Sequence, residues 1–565
     1  MKSKFSTRLS KLFASVLFVL LTATHTFAND GWTMLGVTAP LFDQLRIRIG
    51  STQGEPPPGD ELVAVADFNR IGAFKSPIPG DLFEDWTYNR GGMFYDEAND
   101  KLYVNAGIYG AYIHNISVPT PSMAGTYENL PAASYVQTSR LIFEGRIAEL
   151  YPAGCGQGVG TGVMLVGSNL LFSGTCYYGR TAFSHFTRSS NLATTTLNSG
   201  GPSAISTPKD STVAAGGMAL IPVEYQDDFG GNDVLSGLGP ISVIGRTSVG
   251  PALYAWKSAD LVAGTPIVRS GTAQGGTATT ITLDAGSSAT NNFYLNDIIV
   301  ATGGSIVTQH RSVTGYNGTT KVATIDPGWE NSIAPNSSTT FELRHSVPST
   351  PLVFYTDELG AYGAFPCIAD SGYCSGDSIA GMAWLEGTRT VAVFGTHSPG
   401  IYTPCYGAGG PYVGNIPAST NVYERYLPTI NTTTGAPLGT TIQDGDLDNE
   451  FVEGFGWIHT GVARCYDPIA YAKGEHNYPY KPWVYLYDAL DLLKVYNGDI
   501  NPETSLPYQP GEIMPYEHGE LPDLEAAYPC VIASQCLFGV AIDKTGHRIF
   551  VAAGVNWTAH VFEWQ

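Results

Sequence analysis

Residues 92–107 read GMFYDEANDKLYVNAG, and residues 539–554 read GVAIDKTGHRIFVAAG. The two align without a gap. Each opens on glycine, runs through apolar residues to an aspartate (Asp96 or Asp543), and turns over a short polar stretch. Each then returns through Lys101–Val104 or Arg548–Val551 to a closing glycine. Two half-buried strands around a turn of Asp, Asn and Gly make a β-hairpin. Recurrence of one hairpin across a long chain marks a repeat architecture.

Three further copies follow from the same pattern. Residues 162–174 read GVMLVGSNLLFSG and residues 381–395 read GMAWLEGTRTVAVFG. Gly217 opens GMALIPVEYQ, whose second strand is expected at Pro240–Gly245. An aromatic-rich third strand follows each hairpin: Ala111–Ile116, Phe183–Thr187, Ala252–Trp256, Trp483–Asp488 and Ala559–Trp564. A three-stranded meander cannot bury both of its faces alone. Radial stacking around an axis solves this, which predicts an all-β chain folded as a β-propeller of five to seven blades. The last unit ends on its third strand, so Glu61–Phe68 is predicted to supply its fourth and close the ring.

The phrase GVAIDKTGHRIFVAAG followed by AHVFEW resembles the NHL-type propeller repeat. That resemblance implies the propeller scaffold and leaves the activity open. The S-x-D-x-G-x-x-W box of sialidase propellers and the WD repeat signature are absent.

One segment interrupts the pattern. Ser270–Leu343 is rich in Thr, Gly, Ser and Asn, and alternates like short antiparallel strands. Its phrases ATTITLDAGSSATNNFY and YNGTTKVATIDPGW resemble a small all-β module of tailed-phage and prophage proteins, which implies an accessory, projecting domain. The expected organisation is a propeller over residues 29–269 and 345–565, with an inserted β domain at 270–344.

Residues 1–28 read as a signal peptide: Lys2, Lys4, Arg8 and Lys11 precede the apolar run Leu12–Leu21, and Thr26-Phe27-Ala28 forms a cleavage site. The run is too short to span a bilayer and no later segment is long enough, so a soluble protein that is secreted, periplasmic or extracellular is expected. Removing the leader leaves 25 basic against 50 acidic residues, a net charge of −25. That disfavours nucleic acid and anionic membranes, so neither is an expected partner, because both are held by basic patches. All eight cysteines lie beyond the leader and fit an oxidising compartment. The pairing expected from proximity is Cys155–Cys176, Cys367–Cys374, Cys405–Cys465 and Cys530–Cys536, one of many pairings that eight cysteines allow. Irregular spacing and the lack of any C-x-x-C pair argue against zinc.

The connection from His397 to Lys481 carries most of the chemistry. A loop this long inside a compact domain is commonly functional. Its Tyr402, Tyr406 and Trp457, with Trp483 beyond it, suit sugar stacking and protein contacts. His459, Arg464, His476, Tyr478 and Tyr480 form the candidate catalytic set: a sugar lyase needs a His or Tyr base and a cation to neutralise a uronate carboxylate. Asp444, Asp446 and Asp448 resemble the start of a calcium loop, but the twelfth position is Phe455 where an EF-hand carries Glu. Calcium is therefore the one cofactor the sequence suggests, and none is required.

Two other signals are weighed and set aside. Gly376-Asp377-Ser378-Ile379 looks like the nucleophile block of GDSL esterases, yet it leads into a hairpin without α/β alternation. His114, His185 and His560 each fall on a third strand, and strands of different blades stand too far apart to share a metal. Two functions follow as expectations. One is a recognition module whose loop face binds a glycan, a surface partner or a small ligand. The alternative is a secreted carbohydrate-active enzyme, lyase or hydrolase, working on the same face.

Overall fold

The structure, a computed structural model, describes residues 61–77, 92–106, 112–123, 127–144, 146, 158–176, 182–194, 202–207, 211–238, 252–326, 328–355, 377–397, 450–452, 456–458, 481–524, 537–553 and 557–564. It is a five-bladed β-propeller carrying a separate inserted sheet.

Strand β1 (Phe68–Lys75) comes first in the chain but belongs to the last blade. Blade 1 holds β2 (Met93–Asp96), β3 (Lys101–Ala106), β4 (Tyr112–Ser117) and β5 (Tyr135–Leu141). Blade 2 holds β6 (Gly158–Val166), β7 (Asn169–Cys176) and β8 (His185–Ser189), with an antiparallel bridge from His185 to Ser203 at its outer edge. Blade 3 begins with β9 (Met218–Leu220), β10 (Val234–Gly237) and β11 (Leu253–Trp256). The chain then leaves for β12 (Ile267–Thr272), β13 (Gly275–Thr277), β14 (Thr280–Thr282), β15 (Ile298–Ala301), β16 (His310–Asn317), β17 (Val322–Asp326) and β18 (Thr340–Arg344), and returns to finish the blade with β19 (Ser349–Val353). Blade 4 holds β20 (Ser378–Trp384) and β21 (Thr390–His397). A two-stranded ribbon follows, β22 (Glu450–Val452) with β23 (Gly456–Ile458), before the blade resumes with β24 (Lys481–Asp488) and β25 (Glu517–Glu520). Blade 5 holds β26 (Leu537–Asp543), β27 (Arg548–Ala553) and β28 (Thr558–Trp564), and β1 pairs antiparallel with β28.

The ring closes as the strand count requires, by pairing of the N-terminal segment with the last hairpin. The closing strand starts at Phe68, where the sequence reading ended it. Phe68 pairs with Trp564 and Lys75 with Thr558. Residues 65–67 instead make a short 3-10 turn, in which Asp67 accepts a hydrogen bond from the Ala64 backbone at 2.7 Å. A second correction concerns blade 3, whose second strand is Val234–Gly237, whereas Pro240–Gly245 lies outside the described residues. Pro222 ends the first strand there, and Val223–Gln226 turn helical.

The recurrent glycine has a cause that turn chemistry does not supply. A Cβ on Gly92 would stand 2.4 Å from the Gly162 Cα of the next inner strand, and one on Gly162 would run into the Gly216 carbonyl. A Cβ on Gly217 would stand 2.6 Å from the Gly381 Cα, and one on Gly381 would stand 3.1 Å from the Val540 backbone nitrogen. In four of the five blades, the hairpin glycine faces the backbone of the following blade. Five blades bring their inner strands to a small radius, and only a residue without a side chain fits between them. In blades 2, 4 and 5 a register shift falls immediately before this glycine, at Gly160/Gly162, Ile379/Gly381 and Leu537/Gly539. A bulge of this kind bends the strand and increases its local twist.

The aspartates of the opening hairpins do shape turns. Asp96 accepts from Asn99 Nδ2 at 2.8 Å, and Asp543 accepts from the Gly546 backbone and from Arg548 Nε at 2.8 Å. Asp100 and His547 take the left-handed conformation at corresponding positions of the two turns.

The core lies between blades. Phe74, Tyr95, Phe550 and Trp557 fill the space between blades 5 and 1, and Leu235, Trp384, Val391 and Tyr485 fill that between blades 3 and 4. The inserted strands form one seven-stranded sheet around their own core of Ile281, Val313, Trp329 and Leu343. Its central strands β15 and β16 pack on blade 2, where Ile298 joins Phe143, Phe172 and Phe183, and the Phe183 and His310 rings stand 5.1 Å apart.

Candidate functional site at the root of the long connection

Strands β21 and β24 pair from Thr390 with Asp488 to His397 with Lys481. The connection 398–480 therefore springs from one end of blade 4, opposite its tight turn at residues 385–389. Most sequence-predicted site residues lie on it. His459, Arg464, His476, Tyr478, Tyr480, Tyr402, Tyr406, Asp444, Asp446 and Asp448 fall outside the described residues, as do Cys155, Cys367, Cys374, Cys405, Cys465, Cys530 and Cys536. Only the backbone of Cys176 and Trp457 is described, at the end of β7 and within β23. Trp483 is described in full.

Around Trp483 the structure assembles a compact polar and aromatic group. Its ring stacks on His397, with centroids 4.3 Å apart and planes inclined by 30°. His518, from the neighbouring outer strand, stands 5.9 Å from Trp483 and 6.3 Å from Tyr485. Beneath these rings Asp377 is fully buried at the mouth of β20. Its Oδ2 lies 2.9 Å from His397 Nδ1 and accepts the Tyr485 hydroxyl at 2.5 Å. At the rim Lys481 and Glu520 form an ion pair at 2.5 Å, each about one third exposed. The imidazole of His518 is held below its ordinary value, first by burial and then by the neighbouring His397, against the pull of Asp377 and Glu517.

The strand pairing explains this convergence. His397 faces Lys481, Trp483 faces both Gly395 and Glu520, and Tyr485 faces His518. Alternation along β24 puts Trp483 and Tyr485 on one face, where the histidines of two flanking strands meet them. Chemically the group offers an aromatic surface with a charged rim, and an imidazole oriented through Nδ1 by a buried carboxylate. Sequence reading singled out Asp377 only as part of an esterase-like tetrapeptide. The structure has a propeller strand in that place, and the aspartate works as an anchor for His397 and Tyr485. No spacing rule could have joined Asp377, His397, Tyr485 and His518, since strand register alone brings them together.

The three third-strand histidines do not meet. His114 lies 2.6 Å from the Ser139 hydroxyl, His185 lies 2.7 Å from that of Ser184, and His560 accepts from Arg70 at 3.1 Å. Each sits in its own blade. Among the described residues no group of three or more His, Cys, Asp or Glu side chains is placed to hold a metal.

No family model matches the chain, and no curated protein does either. Solved structures with a similar course include the phage phi92 endosialidase, at 10% identity over 88% of this chain and 69% of that one, with a TM-score of 0.19. A calcium-bound structure of the Trichoderma reesei carbohydrate-active enzyme family AA12 is similar at 9% identity over 88% and 99%, with a TM-score of 0.25. The C-terminal WD40 domain of Sif2 is similar at 10% identity over 89% and 100%, with a TM-score of 0.22. Likeness at this level says nothing about the chemistry of the Trp483 group.

Proposed function

We propose that this chain is a secreted or surface-exposed recognition module that binds a glycan or a similar polyhydroxylated ligand at the Trp483 end of blade 4. The observation that carries the reading is the stacked pair of Trp483 and His397, fixed from below by Asp377. A partly exposed aromatic plane held in place before binding is a surface on which a sugar ring stacks, and its preorganisation spares the ordering cost of association. Lys481 and Glu520 at the rim supply hydrogen-bonding groups of both signs. The aromatic-rich connection 398–480 starts and ends beside them, and the leader at residues 1–28 fits an exported protein.

The test is a glycan array followed by calorimetry on the best responder. Trp483→Ala should weaken binding about tenfold or more, on the order of 1.4 kcal/mol, while Trp483→Phe should keep most of it. Equal binding by wild type and Trp483→Ala would remove this surface from the reading.

The Asp377–His397 pair favours a second reading, a carbohydrate-active enzyme in which His397 transfers a proton and Asp377 orients it. A polysaccharide-depolymerisation screen separates the two. Release of oligosaccharides that is lost in His397→Asn, with glycan binding retained, would establish the enzyme; no release from any glycan that binds would leave recognition.

A further inference from the structure

At the opposite end of the ring, five inner strands surround a cavity of about 260 Å³. Its wall is apolar. Phe94, Leu165, Leu220 and Ile542 are partly exposed around it, with Met93, Met218 and Met382 buried behind them. These methionines each follow one of the ring glycines, so the cavity sits directly above the level at which the inner backbones converge. Its lip is acidic. Glu97 is exposed and accepts from the backbone nitrogens of Lys544 and Thr545, at 2.5 and 3.1 Å. The Lys544 ammonium is engaged by Glu386 of the blade 4 hairpin at 3.0 Å. Two carboxylates line the cavity, the exposed Glu97 and the buried Asp96, which accepts from Asn99, and the one lysine among the lining residues is already paired with Glu386.

We propose that this cavity is a docking socket for a protein partner that presents one large apolar side chain flanked by Lys or Arg. Two features commit the socket to that occupant. Its volume falls below the roughly 300–1,000 Å³ that encloses a whole drug-sized ligand, so it accepts a single group. The excess of carboxylates at the lip, on a chain with 50 acidic and 29 basic residues, favours cations beside that group. A buried apolar anchor with a charged surround is the usual energetic centre of a protein contact, and methionine walls adapt to anchors of differing shape. The socket uses none of the residues of the Trp483 group, so the two sites can fail independently.

The test uses the full-length chain labelled with ¹³C at its methionine methyl groups. Titration with the capped peptide Lys-Trp-Lys should shift the signals of Met93, Met218 and Met382, assigned by single Met→Leu variants. The capped peptide Glu-Trp-Glu should shift them at least tenfold more weakly at the same concentration. Ile542→Trp, which fills the cavity, should abolish the response. Because that variant alters the core, Glu97→Gln gives an independent check: it should weaken Lys-Trp-Lys several-fold and leave the thermal transition within a few degrees. No methyl response to Lys-Trp-Lys at millimolar concentration would overturn the proposal. Equal responses to the two peptides would overturn its charge selectivity and with it the stated partner.

Discussion

At the scale of single residues, the glycine that opens each hairpin is where sequence and architecture meet. At Gly92, Gly162, Gly217 and Gly381 its place is explained by the backbone of the next blade, which stands where a Cβ would be or close against it. Gly92→Ala should therefore cost at the upper end of the ~1–3 kcal/mol typical of overpacking, or more, because a backbone cannot swing aside as a side chain can. Gly315→Ala is the matched control: the added Cβ there meets only Thr324 side-chain atoms at 3.8 Å, an ordinary contact. Urea unfolding of the two variants should show a large loss for the first and little change for the second. If both lose little, close approach is not what holds that position to glycine.

Among elements, the inserted sheet is the clearest case of a part with its own core. Its two ends meet, since the His345 backbone nitrogen donates to the Pro266 carbonyl at 3.2 Å. His345 Nδ1 also stands 2.8 Å from Asp297 Oδ1, closing the neck of the insertion. Replacing residues 267–344 by a short glycine-serine linker should leave a cooperatively folded propeller. The loss of the Ile298 and His310 contacts on blade 2 should lower its stability by about 1–3 kcal/mol, read from thermal unfolding. An excised chain that no longer melts cooperatively would make the insert part of the propeller core. The hairpins and most third strands were legible because two-residue alternation and turn residues are local signals. The second strand of blade 3 was not, because Pro222 and the helical turn after it break the alternation. The Trp483 group was half legible. Its tryptophan stands out as an aromatic beside a long loop, but Asp377 and His518 join it only through register across strands far apart in sequence.

For the whole molecule, burial of histidines sets an acid limit. His114, His185 and His560 are each pushed down to about 3 by removal from water, with Arg70 adding to the effect at His560. In the unfolded chain they titrate near 6.5. Between those values the unfolded chain binds more protons than the folded one, so stability is full above about pH 6.5 and falls as pH drops toward 3. Each histidine contributes about 1.4 kcal/mol per pH unit within that window. Three blades carry one such residue each, so the loss is shared around the ring. The midpoint of urea unfolding should decline steadily from pH 7 to pH 4, and the His185→Gln variant should show a shallower decline. A midpoint independent of pH over that range would mean that the imidazoles are solvated.

Strand β1 ties these scales to the order of synthesis. Arg70 and His560 are hydrogen-bonded at 3.1 Å although 490 positions separate them. At about 5–20 residues per second, β1 leaves the ribosome tens of seconds before its partner exists. Throughout that interval it is an unmated strand that could add to another nascent copy. Its sequence, FNRIGAFK, places Arg70 and Lys75 among the apolar residues, and charges of this kind discourage mispairing. In the finished ring both are absorbed, Arg70 by His560 and Lys75 by the Glu128 carbonyl at 2.7 Å. The same two side chains thus guard the strand while it waits and fasten it once the last blade arrives.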